Sequence, residues 1–141
     1  MESYIYKDKN NFNTNMYKLM QEFKIKDLNS KWLITDIETN EDEIFNKEYI
    51  IINHQNLIEL LKKNTETQWI WAVLSAIPSK YSNEEILKYK LPYIIENKNI
   101  NTKIQHPLAE IEIDCIDSSY AKIIFKDEKK FDLNKGETYE K

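Results

Sequence analysis

The run from Gln68 to Ile77 restricts the fold more than any other part of this chain. In a strand, successive side chains point to opposite faces, and in this run both faces are apolar. A strand of that kind is normally covered on both sides, as a central strand of a sheet is. Pro78 ends the run, because proline has no N–H to donate to a neighbouring strand. The sequence therefore predicts a sheet with this strand near its centre.

Helical spacing and further strands complete the predicted fold. Met16, Leu19, Met20 and Phe23 are spaced i, i+3, i+4 and i+7, which predicts a helix over Thr14–Lys24. Further segments are predicted from apolar runs and turn signals: strands over 3–7, 31–37 and 49–52, and a helix from residue 53 or 55 to 63.

Two local signals give sharper predictions near the C-terminal half. Ser82 and Glu85 match a capping box, which predicts a helix from Ser82 to about Lys90. Segments 109–116 and 120–126 alternate in polarity around Asp-Ser-Ser at 117–119, which predicts a β-hairpin.

We therefore expect one α+β domain over residues 1–141, with an antiparallel or mixed sheet and two or three helices packed on it. Residues 94–107 are predicted to form a long irregular loop, a kind of segment that is often functional. Residues 128–141 are charged, and we expect a partly flexible tail with one short helix around Phe131.

Composition argues against several classes of function. Arginine is absent, glycine occurs once, at Gly136, and the net charge is −4. Phosphate-binding loops need glycines, and nucleic-acid surfaces are basic, so neither nucleotide nor nucleic-acid binding is expected. The single cysteine, Cys115, and the lack of a signal peptide or a long apolar run indicate the cytoplasm and no membrane association.

The side chains that most often carry chemistry are few. His54 and His106 have no second ligand at helical metal-site spacing, and Cys115 lies on the apolar side of its predicted strand. A structural role is favoured for each, although a zinc site that gathers all three in space stays an open alternative. No cofactor and no metal are predicted.

Carboxylates form two groups that suit a cationic partner. Glu38, Glu41, Asp42 and Glu43 lie in a predicted loop. Glu110, Glu112 and Asp114 project from one face of a predicted strand, where they form a solvated face, an acid–base or metal site, or a contact surface for a basic protein. Tyr93 and Tyr120 are candidate contact residues, since tyrosine is enriched in binding hot spots.

A resemblance adds to this interpretation. The segments W-I-W-A-V-L-S-A-I-P (69–78), E-E-I-L-K-Y-K-L-P-Y (84–93), I-Q-H-P-L-A-E-I-E-I (104–113) and D-S-S (117–119) resemble small bacterial immunity proteins of polymorphic or contact-dependent toxin systems. The resemblance covers residues 69–125 and implies a cytosolic inhibitor that binds a cognate toxin domain and has no catalytic activity.

Three functions follow as hypotheses. The first is an immunity protein, a monomer or weak homodimer, that blocks a toxin, for which a nuclease with a basic cleft is the expected class. The second is a small enzyme that uses carboxylates with His54 or His106. The third is a regulatory adaptor that self-associates through an exposed edge strand.

Overall fold

The computed structural model describes residues 2–6, 15–22, 29–95, 103–127 and 139–140. These residues form one antiparallel sheet with the strand order β3-β2-β4-β5-β6-β1-β7. In chain order the elements are β1 (Glu2–Tyr6), α1 (Met16–Glu22), β2 (Ser30–Thr39), β3 (Tyr49–Asn53), α2 (His54–Lys63), β4 (Trp69–Pro78), α3 (Asn83–Ile86), β5 (Ile111–Ile116), β6 (Tyr120–Phe125) and β7 (Tyr139–Glu140).

The predicted central strand is β4, which pairs with β2 on one side and with β5 on the other. Val73, Leu74, Ser75 and Ala76 are buried, as a strand covered on both faces requires. The α+β class is confirmed. Every described strand pair is antiparallel, so the sheet is antiparallel rather than mixed.

One face of the sheet packs against helices, and we call it the helix-covered face. Leu19 and Met20 from α1 and Leu57 and Leu61 from α2 join its core. The sheet contributes large buried side chains to the same core, among them Trp32, Trp69, Ile113 and Phe125. Segments 23–28 and 7–14, and with them the ends of the predicted first helix, lie outside the described residues.

The opposite face is covered by α3 and by a segment that we call the strap, residues 91–95 and 103–108. Leu91, Ile104 and Leu108 of the strap pack on a small cluster around Leu33 and Ile77. The hydroxyl of Thr35 donates a hydrogen bond of 2.7 Å to the carbonyl of Pro92, which attaches the strap to β2. This layer explains why the polar side of β5 is not in solvent.

Turn and cap signals in the sequence agree with the structure. Ser82 and Glu85 form the predicted capping box, but the helix ends at Ile86, short of Lys90. Asp117 and Ser118 have φ of 46° and 62°, the left-handed conformation of the central residues of a tight hairpin turn, and Ser119 N donates to Ile116 O. The helix predicted around Phe131 lies outside the described residues, and residues 139–140 of the predicted tail form β7.

Candidate functional site

The loop between β2 and β3, residues 40–48, is held in one conformation by the side chain of Asn46. Its Oδ1 accepts hydrogen bonds from Thr39 N at 2.8 Å and from Thr39 Oγ1 at 3.0 Å. Its Nδ2 donates to Thr39 O at 2.9 Å and to Asp42 Oδ1 at 2.6 Å. Thr39 Oγ1 also accepts from Glu41 N. We call this segment the acidic loop.

A buried aromatic ring and two backbone contacts attach the acidic loop to the sheet. Phe45 is fully buried, and its ring centroid lies 4.7 Å from that of Trp69. Asn40 N donates to Gln68 O, and Gln68 N donates to Asn40 Oδ1 at 2.8 Å. The loop is therefore anchored to the folded core through Phe45.

The carboxylates of the acidic loop face solvent, as does that of Glu38, which lies near the end of β2 rather than in the predicted loop. Glu38, Asp42 and Glu43 are exposed, and Glu41 is half-buried, so the structure brings these four predicted binding residues together. Residues 36–48 carry six carboxylates and one lysine, whereas the rest of the chain has one more lysine than carboxylates. The net negative charge of the chain is thus carried by residues 36–48.

A bulge in β2 precedes the acidic loop. The pairing of β2 with β4 shifts register between Thr35 and Glu38, and Asp36 has a φ of 50°, a conformation that aspartate tolerates better than most residues. Asp36 Oδ2 accepts a hydrogen bond of 2.8 Å from Ile94 N of the strap. Asp36 was not among the predicted site residues, although a charged residue within the apolar pattern of a strand can indicate a bulge.

The acidic row on β5 is not a solvated face, and that prediction is wrong for two of its three members. Glu112 is 1% exposed and Asp114 is 9% exposed, while Glu110 is half-buried. The reason is the strap: Gln105 N donates a 2.8 Å hydrogen bond to Glu112 Oε1 and brings the strap over β5. Neither Glu112 nor Asp114 is available to a partner while the strap is in place.

Glu112 and Asp114 form a buried carboxyl pair. Burial, the negative charge of Glu112 and a hydrogen bond to Glu112 raise the pKa of Asp114 to about 9, and Lys122 opposes this shift. Burial also raises the pKa of Glu112, against the hydrogen bond from Gln105. Burial therefore favours the protonated form of Asp114 and a hydrogen bond between the two carboxyl groups.

Two buried polar atoms, one within this pair and one beside it, have no hydrogen-bond partner within the described part of the chain. They are Asp114 Oδ1 and Ser75 Oγ. Ser75 lies directly across from Glu112 in the β4–β5 pairing, so the two side chains share the strap-covered face. Sequence patterns did not identify Ser75, because a single serine in an apolar run does not show whether its buried hydroxyl has a hydrogen-bond partner.

The two predicted tyrosines lie in different surroundings. Tyr93 is 48% exposed, and Gln105 holds its backbone by accepting from Tyr93 N and donating to Tyr93 O. The Lys90 ammonium lies 5.0 Å from the centroid of its ring. Tyr93 precedes Ile94, which binds Asp36, so this tyrosine borders the β2 bulge. Tyr120 is half-buried at the start of β6.

Both histidines are engaged in structural hydrogen bonds. His106 is buried, its Nδ1 accepts from Leu108 N at 3.1 Å, and its Nε2 lies 2.9 Å from Ile86 O. This geometry requires the neutral tautomer with the proton on Nε2. His54 Nδ1 accepts from Trp32 Nε1 at 3.0 Å, and burial lowers its pKa.

Cys115 is fully buried on the helix-covered face, and burial raises the pKa of its thiol. In the described ranges, no three His, Cys, Asp or Glu side chains are grouped so that they could hold a metal ion. Nor does any helix in the described part of the chain have the length and apolar character to cross a membrane.

Comparisons with known proteins found no relative of this chain. The chain matches no protein-family model, no curated protein and no solved structure.

Proposed function

We propose that this chain is a cytosolic inhibitor of the immunity type, which neutralises a cognate bacterial toxin domain by direct binding through the acidic loop. The observation that carries the proposal is the anchoring of that loop by Asn46 and Phe45. A loop that is ordered before binding loses less conformational entropy when a partner docks. The resemblance of residues 69–125 to immunity proteins of toxin systems supports the same assignment.

The negative charge of the acidic loop and of Glu38 supports a basic partner. Exposed carboxylates on Glu38, Asp42 and Glu43 create a negative potential at one end of the sheet. Nucleases present basic clefts to the phosphate backbone, so a nuclease toxin is the class of partner whose active site this loop would attract and cover. Tyr93, exposed beside the β2 bulge, supplies an aromatic contact at the border of the same surface.

A pair of double variants with the same change in net charge tests the proposal. In Glu38→Lys/Glu43→Lys the reversals lie on the acidic surface, and in Glu59→Lys/Glu84→Lys they lie on exposed positions of α2 and α3. Binding to the purified toxin domain encoded beside this gene is measured by surface plasmon resonance at two salt concentrations. We expect the first variant to lose at least tenfold in affinity, mainly in association rate, and the second to bind as the wild type does. Equal affinities of the two variants would overturn the role of the loop.

The geometry gives less support to the enzyme hypothesis. Both ring nitrogens of His106 contact backbone groups, and Glu112 and Asp114 lie beneath the strap. A general acid or base has to reach its substrate within hydrogen-bond distance. Binding rather than catalysis is therefore the function that the accessible residues favour.

A further inference from the structure

The strand β3 forms one end of the sheet, and no described segment pairs with its outer edge. Its sequence is Tyr-Ile-Ile-Ile-Asn. Tyr49 and Asn53 are exposed, and the three isoleucines between them are half-buried. A regular row of backbone N–H and C=O groups is thus presented beside β-branched side chains that are incompletely covered.

Edge strands are usually protected from pairing with other chains. Lysine, proline, bulges and inward-pointing charges are the common devices. None of these occurs in β3: it has no charged residue and no proline, and its register with β2 runs from Lys31–Asn53 to Thr35–Tyr49 without a shift. The edge is therefore suited to accept another strand.

We propose that β3 pairs with β3 of a second copy of this chain, antiparallel and centred on Ile51, to form a symmetric dimer with one continuous sheet. In this register Ile50 faces Ile52 of the other copy twice, and Tyr49 faces Asn53 twice. Like charges never face each other along the strand. A twofold axis normal to the sheet also places the helix-covered faces of both copies on the same side, so half-buried Ile50 and Ile52 continue one apolar layer.

Charge at the two ends of the strand favours this register. Continuing the antiparallel alignment beyond β3 brings Glu48 of one copy to the start of α2 in the other, at His54. The N-terminus of a helix carries a partial positive charge that stabilises a nearby carboxylate. The first turn of α2 contains no acidic residue of its own, so this position is open to the carboxylate of a neighbour. The contact occurs twice in a symmetric dimer.

Two variants that differ in the sign of one charge test the register. Both carry Asn53→Asp, since aspartate retains the N-cap function that Asn53 performs for Asn56 N. One adds Tyr49→Lys, which faces the new aspartate of the other copy, and the other adds Tyr49→Glu, which faces it with a like charge. Sedimentation equilibrium of the full chain from 5 to 500 μM measures the dimer dissociation constant, and circular dichroism verifies the fold.

We expect a wild-type dimer in this concentration range, and a dissociation constant about tenfold lower for the Tyr49→Lys variant than for the Tyr49→Glu variant. A monomeric wild type at 500 μM would overturn the proposal. So would a dimer whose strength is the same in both variants, because its interface would then lie elsewhere. The measurement contains no toxin, so its failure leaves the proposed binding function of the acidic loop untouched.

Discussion

The two faces of this sheet are covered in different ways. On the helix-covered face, α1 and α2 bury a continuous apolar core that contains Trp32, Trp69 and Phe45. On the strap-covered face, the buried apolar cluster is small, and buried polar groups lie beside it: Thr35, Ser75, Glu112 and Asp114. The first face is closed by apolar burial, and the second by hydrogen bonds from individual side chains to the strap.

The two faces therefore contribute differently to the stability of the fold and to the dependence of that stability on pH. Burial of large apolar side chains is the main favourable term in folding, and it depends little on pH. The contribution of a buried carboxyl pair to the free energy of unfolding depends on whether its carboxyl groups are protonated. We therefore expect the helix-covered face to set the overall stability and the strap-covered face to set its response to solution conditions.

The largest predicted effect comes from breaking the helix-covered face at Phe45. Phe45→Ala removes a fully buried ring that packs on Trp69, and we expect a loss of about 3–5 kcal/mol in the free energy of unfolding. Urea denaturation measures the loss, and faster hydrogen exchange in residues 40–48 would show that the acidic loop is released. Tyr93→Ala, an exposed ring on the strap, is the control and is expected to change stability by less than about 0.5 kcal/mol. A Phe45→Ala loss below that of the control would contradict this account of the face.

The second prediction concerns the pH dependence that Asp114 gives to the strap-covered face. With its pKa raised to about 9, the folded chain holds a proton that an unfolded aspartate has already released. The free energy of unfolding should therefore fall as the pH rises from about 5 to about 9, and this dependence should vanish above about pH 9. Lys122 and Glu112 are the charged groups that act on Asp114.

Asp114→Asn should flatten this slope, because the amide can still donate to the Glu112 carboxylate but does not titrate. Asp117→Asn, at the exposed hairpin turn, should leave the slope as it is. Urea unfolding at five pH values compares the three proteins. A wild-type profile that is flat between pH 5 and pH 9 would show that Asp114 is ionised in the folded chain.

The smallest predicted effect has the opposite sign. Ser75→Ala removes a fully buried hydroxyl that has no partner among the described residues, so stability should rise by up to about 1 kcal/mol. Thr35→Val is the matched control: its hydroxyl donates to Pro92 O, and its removal should cost about 1 kcal/mol. Thermal unfolding of both variants measures the two changes. Destabilisation by Ser75→Ala would indicate that a bound water satisfies the hydroxyl.

Much of the fold could be predicted from short-range patterns. The apolar run of β4, the capping box of Ser82 and Glu85, and the turn at Asp117–Ser118 each depend on residues close in sequence, and each is confirmed. The same patterns did not predict the burial of Glu112 and Asp114. Alternation shows which residues share a face, but it does not show that the strap, which follows β2 by more than fifty residues, crosses that face and covers it.

The candidate site was predicted in part for the same reason. Glu38, Glu41, Asp42 and Glu43 are adjacent in sequence, so their grouping follows directly from their order. The residues that hold them in place, Asn46 and Phe45, were missed, because one asparagine and one phenylalanine in a loop resemble ordinary loop composition. Their importance comes from contacts with Thr39 and Trp69, which only the folded structure shows.

The position of β1 in the sheet has a consequence for synthesis on the ribosome. Its register pairs Glu2 with Phe125 and Tyr6 with Ala121, so its partner strand is made more than one hundred residues later. At ribosomal rates of about 5–20 residues per second, Tyr4 and Tyr6 wait on the order of ten seconds before β6 can cover them. During that interval the nascent chain carries β1 without its native neighbour, so this strand can join the sheet only after β6 has been made.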